Sequence, residues 1–498
     1  MAYNACGQPI FSTPGFIVTE RPPTKRRLAV IGGGISGLAA AHRAVELEPG
    51  CQLALFEGSS RLGGVLSTLH EHGFQVEQSA DNFITTVPWG IDLCKRIGLG
   101  DDLIQTNPAH RHTYVVRRGR LCKLPDGFLM MAPTRMWPMA LTPILSPLGK
   151  LRAALEYFIP PRAGEGDESM AAFVRRRLGR EVFERLVEPL VSAVYAADME
   201  RLSVEATLSQ FREMELRHGS LIRAMRQRMK TAPQARSGQS GARYSMFVTP
   251  RNGLLSMVEA IAARLPEGSI RLSRPVERIE RGAGDCWIVW TRGSPPELFD
   301  RVIVATPAHV AARLLATVDG ELAQGLAGIE HSGTAIVSVG YAREQIDHPL
   351  NGMGVVVPAI ERSPILACSF SSQKYAHRAP GGKVLLRVFA GGARRPELAG
   401  MDDDKLRPLV LDELCRLLGI HGEPVYASIA HWPNTMPQFH VGHKQLVGRI
   451  RARVTALPHL ALAGNFFDGV GIPHCIHSGE QAAERVLGMR QADHEPVA

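Results

Sequence analysis

The chain has 498 residues, 45% hydrophobic and 21% charged, with a net charge of +9. That length exceeds one compact core and points to two or three domains, and the balance is globular rather than disordered. The positive excess favours an anionic partner, a polycarboxylate or an acidic lipid surface. The basic residues are scattered in short clusters such as TKRR and VRRGR with no nucleic-acid motif, which argues against nucleic acid.

Eight cysteines, at 6, 51, 94, 122, 286, 368, 415 and 475, show no CxxC and no metal-like spacing with histidine. They read as reduced thiols of a cytosolic protein, and no metal site is expected. Residues 1–25 read as an irregular tail without the order of a secretory signal, and 491–498 as a second tail. No apolar run has the length of a spanning helix.

In chain order, LAVI before Gly32 reads as a buried parallel strand, LAAAHRAVELE as a helix, and CQLALFE as a second strand ending at Glu57. This is a βαβ unit. The segment from Gly127 to Pro161 is rich in Met, Leu, Trp and Pro, so its helices are expected to be short. ESMAAFVRRRLGREVFERLVEPLVSAVY has helical periodicity, and residues 231–245 read as a Gly/Ser/Arg loop. Strands are expected in 268–281, 286–293 and 299–308, then in 334–341 and 352–392. The chain closes on a strand, a glycine loop and a helix.

Gly32, Gly34 and Gly37 fit GxGxxG. The first allows a tight turn, the second lets backbone approach a pyrophosphate, and the third lets helix pack on strand. With Gly33, Ile35 and Ser36 they form the strand-to-helix turn whose free N–H groups hold an anion. Glu57, twenty residues past Gly37, is placed to bond a ribose hydroxyl. A second glycine turn, FEGSSRLGG, follows at once with Gly58, Arg61, Gly64 and Val65. It resembles the extended fingerprint of FAD-binding amine-oxidase-type flavoproteins. In that superfamily the helix after GNFFDGVGIPHCIHSG points its N-terminus at the pyrimidine end of the flavin, where reduced flavin is negative.

The middle stretches narrow the resemblance. GRLCKLPDG, DESMAAFVRRRLGREVFERLVEPLVSAVYAADMERLSVEAT, NGMGVVVPAIE, CSFSSQKYAHRAPGG and HWPNTMPQFHVGH are similar to the oxygen-dependent protoporphyrinogen oxidase family, FAD enzymes of heme biosynthesis. The likeness runs over about residues 25–490. It implies non-covalent FAD held by Gly32–Gly37, Glu57, Gly58, Arg61, Gly64, Val65, Ala80, Asp81, Val276, Asn465, Val470, Gly471 and Ile472. Val276 would pair by backbone with the adenine. The family usually has Gly-Pro where Ser79 and Ala80 stand, a departure in the loop beside the flavin.

The reaction implied is oxidation of protoporphyrinogen IX to protoporphyrin IX in three two-electron steps, with O2 reoxidising the flavin to give H2O2. Coproporphyrinogen III oxidation by the same chemistry is the alternative, and amine oxidation or desaturation on the same fold a second. No nucleophile–base constellation stands out, and hydride transfer to flavin needs alignment in an apolar slot more than a titrating side chain. Arg111 matches the propionate-binding arginine, and Met353, Gly354, Val356 and Phe389 match positions sandwiching the macrocycle. Trp432 and His431 are expected near the flavin.

The fold expected is a Rossmann-like α/β FAD-binding domain in three pieces (26–105, 240–318 and 431–490). An antiparallel-sheet substrate domain (319–430) and a region (106–220) carrying a substrate-contact strand and a helical insertion pack on it. Residues 127–160 match the family's membrane-associating helices, and a buried helical subdomain is the alternative. Expected partners are the porphyrinogen and O2, with a membrane surface and a homodimer left open. The expected location is the cytoplasm, with attachment to the inner face of the cytoplasmic membrane left open.

Overall fold

A computed structural model describes residues 26–110, 112–133, 135–164, 166–231 and 246–489. Both tails, Arg111 and nearly all of the loop expected at 231–245 lie outside the described residues.

The βαβ unit forms as expected: strand Arg27–Ile31, helix Ile35–Leu47 and strand Gln52–Phe56. Two later segments join them, so a five-stranded sheet runs in the order Ile270–Arg271, Gln52–Phe56, Arg27–Ile31, Arg301–Val304, Leu460–Leu462. Every pairing in it is parallel. Parallel sheets are covered on both faces, and alternation along Arg27–Ile31 shows how. Leu28 and Val30 pack against helices Ile35–Leu47, Leu255–Ala262 and Ile472–Val486. Ala29 and Ile31 pack against helices Ala308–Leu315, Gly320–Ala327 and His443–Thr455. Each fully buried Leu or Val contributes roughly 1.5–3 kcal/mol.

The second sheet has seven strands, in the order Tyr426–Pro437, His331–Ala342, Lys383–Gly391, Ile365–Ser369, Gly352–Val356, His112–Arg117, Arg120–Lys123. All pairs are antiparallel except Gly352–Val356 with His112–Arg117. One face, with Val337, Val339, Leu386, Val388 and Cys368, is sealed by helix Asp403–Leu418. The other faces the helical region and the first domain.

That helical region begins with the proline-broken segments. Met136–Leu141, Pro147–Ala154 and the 3-10 turn Leu155–Phe158 have six, eight and four residues. Helix Met170–Leu178 and its successors up to Thr231 form its core. A buried ion pair fastens it. Arg177 Nε donates to Glu156 Oε1 at 2.9 Å, and both side chains are fully buried. Glu156 also accepts from Ser220 Oγ at 2.6 Å and from the N–H of Leu221 at 2.8 Å. One carboxylate thereby joins the 3-10 turn, helix Met170–Leu178 and helix Leu221–Thr231.

Candidate active site

The glycines of the first turn divide by what a side chain would meet. At Gly32, with φ +108°, a Cβ would stand 2.5 Å from Ala305 O on the neighbouring strand crossover. At Gly37 it would overlap the carbonyl of Gly32. At Gly34 nothing lies within 4 Å. The middle glycine therefore faces open space, the vacancy a pyrophosphate fills when backbone must approach it. Gly34 gives helix Ile35–Leu47 no side-chain cap, so the N–H groups of its first turn remain for an anion.

Glu57 closes this cradle. Its Oε2 accepts from Gly33 N–H at 2.7 Å and its Oε1 from Ser59 N–H at 2.8 Å, tying the two glycine turns together. Each oxygen keeps a lone pair for a ribose hydroxyl. Gly58, Gly64, Val65 and Ala80 are exposed. Strand Val276–Arg281 starts beside them, because Ser273 and Arg274 bond the backbone of Ser59 and Glu57. Arg61, expected among the FAD contacts, turns its side chain onto its own loop. Its guanidinium donates to the carbonyls of Leu62, Gly64 and Leu66 at 2.7–3.1 Å and so clamps its own turn.

The closing helix starts at Ile472 after Gly471, again with no side-chain cap. It crosses helix Ile35–Leu47 so closely that a Cβ at Gly479 would overlap Ser36 O, bringing both helix N-termini to one end of the parallel sheet. Asn465 donates to Thr435 O at 3.2 Å, and Val470 and Gly471 are half-buried. Cys475 is buried in the cluster under these helices, and burial pushes its thiol up to about 12. A protonated, enclosed thiol suits a flavin held without a sulfur bond.

The loop Gln78–Asn82 is held from the seven-stranded sheet. Trp432 Nε1 donates to Gln78 O at 2.6 Å, and Arg387 donates to Ser79 O. Asp81, expected as a cofactor contact, has its carboxylate turned elsewhere. Lys374 Nζ lies 3.0 Å from Oδ1 and Arg387 Nη1 3.3 Å from Oδ2. Burial would raise the Asp81 carboxyl, but the two cations overcome it and hold it below the usual carboxylate range. Any cofactor contact from residues 80 and 81 thus falls to backbone. His431 corrects the expectation of a residue near the flavin. One position from Trp432, it points to the opposite face and bonds Asp403 at 2.7 Å and Ala399 O at 2.9 Å.

The face turned toward that loop carries two parallel rows. Val115, Val356, Ala367, Phe389, Ile336 and Ala430 pair across the sheet as an apolar row. Gly354 lies one step along, where a Cβ would overlap Cys368 O, and Met353 is the extra residue of a bulge between Gly352 and Gly354. Val356, Gly354 and Phe389 therefore share a surface as expected, with Met353 at its edge. Missed from the sequence were Arg387, Lys374 and Trp432 as the side chains that hold the loop Gln78–Asn82, through Ser79, Asp81 and Gln78. One signal for Arg387 was present: a lone arginine two residues before Phe389 in an apolar strand shares its face. Among the described residues no cluster of His, Cys, Asp and Glu could hold a metal.

The family model of flavin-containing amine oxidoreductases matches residues 35–487. The chain belongs to that family. It is an FAD-dependent oxidoreductase. Coproporphyrinogen III oxidase of Bacillus subtilis is 34% identical over 93% of this chain and 98% of its own. Chloroplastic protoporphyrinogen oxidase of Nicotiana tabacum is 28% identical over 96% of this chain and 88% of its own. A crystal structure described as a putative protoporphyrinogen oxidase from Exiguobacterium sp. superposes with TM-score 0.83 at 31% identity, covering 94% of this chain and all of that one.

Proposed function

We propose that the protein oxidises a porphyrinogen to the porphyrin in heme biosynthesis, with O2 as acceptor. The observation that carries this is the extent of the likeness. Relatives named for porphyrinogen oxidation match over nine-tenths of this chain, the seven-stranded sheet and helical region included. FAD, when bound, takes a hydride and passes two electrons to O2. Three such steps remove six electrons and six protons from the macrocycle and turn three O2 into three H2O2. The chain's own task is alignment. Phe389 and Val356 offer a flat apolar surface, and the loop Gln78–Asn82 sets its distance from the glycine cradle.

Protoporphyrinogen IX is the first substrate expected. Coproporphyrinogen III is favoured by a specific observation: curated relatives bearing that name are 31–34% identical, against 27–30% for the plant relatives named for protoporphyrinogen. Steady-state peroxide formation with each porphyrinogen, anaerobically prepared, tests both. Turnover of either supports the reading, and turnover of neither ends it.

The same reading extends to a membrane surface. Trp137, Leu141, Leu148 and Phe158 are each 74–78% exposed on adjoining short helices, an apolar patch that water does not favour. Arg152 of the same segment donates to the carbonyls of Arg175, Arg176 and Arg177, which leaves Arg135 and Lys150 for acidic headgroups. The patch would rest on the inner face of the cytoplasmic membrane, where a sparingly soluble substrate collects. Among the described residues no helix is long and apolar enough to cross a membrane. Sedimentation with acidic phospholipid vesicles should lose the protein when Trp137, Leu148 and Phe158 are changed to Ser, with flavin content kept. Equal pelleting of both proteins would refute the contact.

A further inference from the structure

Helices Met136–Leu141 and Pro147–Ala154 are apolar on two sides. Trp137, Leu141, Leu148 and Leu151 are exposed. Met136, Met139 and Ala140 of the first helix, with Ala153 and Ala154 of the second, line a cavity of about 160 Å³ between the two. Its floor, Phe128, Leu178, Val182 and Ile222, is buried. At its rim Ala140 and Ala154 are exposed and Met136 is half-buried. The methyl groups of three alanines are too short to close the gap, so it opens beside the exposed Trp and Leu side chains.

The lining decides what can fill such a gap. A buried water needs two to four polar partners, and Lys150 is the single polar side chain that lines this cavity. A cavity of nearly the same volume lined by Leu, Ile and Phe takes up benzene, so about six carbons fit here. A tetrapyrrole is several times larger and is shut out. A linear chain is admitted, and Met136 and Met139 are unbranched thioethers that shape themselves around it. Lys150 is half-buried, and no carboxylate pairs with its ammonium among the described residues. Two carboxylates of the region are engaged elsewhere: Glu181 accepts from the N–H and Oγ of Ser146 at 2.8 and 2.6 Å, and Glu156 is held by Arg177. A cation beside an apolar slot matches an anion on the end of an apolar chain.

We propose that this cavity binds a fatty-acid anion, with the tail between the two helices and the carboxylate at Lys150. With the carboxyl and its neighbouring carbon at the mouth, a chain of about eight carbons fills the site. One gap and one ammonium suit one chain with one charge, which favours a single-chained carboxylate over a two-chained phospholipid. Filled, the gap gives the six-residue helix Met136–Leu141 packing that it lacks when empty. Such binding goes beyond porphyrinogen oxidation and does not depend on it, since it is read without turnover.

Isothermal titration of the holoenzyme with linear carboxylates from butanoate to dodecanoate tests the site. Affinity should rise about fourfold per methylene up to about eight carbons and then level off. A rise that continues by the same factor to dodecanoate would mean adsorption on the exposed patch and would overturn the cavity, as would no binding at all. Lys150→Gln should weaken octanoate about tenfold and leave octan-1-ol unchanged, and equal effects on the two would overturn the assignment of the carboxylate. Ala153→Leu fills the gap and should abolish octanoate binding at wild-type flavin content, whereas Trp137→Ser, on the outer face, should bind as wild type does. Unchanged affinity in Ala153→Leu refutes the site. If that variant fails to fold, Ala154→Phe at the exposed rim decides in its place by the same readout. Vesicles of phosphatidylglycerol that bind the protein while octanoate does not would leave the membrane contact standing and end the fatty-acid site.

Discussion

Glycines three residues apart in one turn do different work here. Gly34 borders open space, so a side chain there competes only with the cofactor. Gly37 touches the backbone of Gly32, so a side chain there must move the strand. Gly34→Val should fold with a stability change below about 1 kcal/mol and purify colourless. Gly37→Val should lose about 3 kcal/mol by overpacking. Denaturant unfolding followed by circular dichroism, with flavin absorbance beside it, separates the two. A yellow Gly34→Val protein would remove the cradle from the argument. The same scale shows what spacing can and cannot reveal. GxGxxG and Glu57 were legible because their neighbours are close in sequence. The engagement of the Asp81 carboxylate by Lys374 and Arg387 was not legible, because those side chains lie about three hundred residues away.

Among elements, the local ones were readable and the long-range pairings were not. Strands at 331–342, 352–356, 365–369 and 383–391 fall where apolar alternation expects them, and the proline-broken helices are short. Nothing local announces that Gly352–Val356 runs parallel to His112–Arg117, since register across more than two hundred residues leaves no mark on either strand. The helical region read equally as membrane-facing or buried; it exposes Trp137 and Leu148 on one side and is close-packed around Phe173 and Leu186 on the other. Its inner fastening is the Arg177–Glu156 pair. Glu156→Ala leaves the buried guanidinium only one carboxylate, the longer 3.5 Å contact with Glu215, and unsupported N–H groups at Leu221 and Ile222. The expected cost is about 3–5 kcal/mol, read as a lowered denaturation midpoint. A change under about 1 kcal/mol would mean that water already reaches the pair.

At the scale of the whole molecule, three discontinuous segments complete one parallel sheet, and uncapped helices start after Gly34 and Gly471 at one end of it. The intervening chain builds a second sheet that carries an apolar row and a polar row on one face. The loop Gln78–Asn82, pinned by Trp432 and Arg387, joins them. The central claim is that an electron pair passes between these two surfaces. Anaerobic mixing of the yellow holoenzyme with a porphyrinogen in a stopped-flow cell tests it most directly. The flavin absorbance near the visible maximum should bleach, and admitting O2 should restore it with peroxide released. Flavin that stays oxidised in the presence of both protoporphyrinogen IX and coproporphyrinogen III would contradict the account.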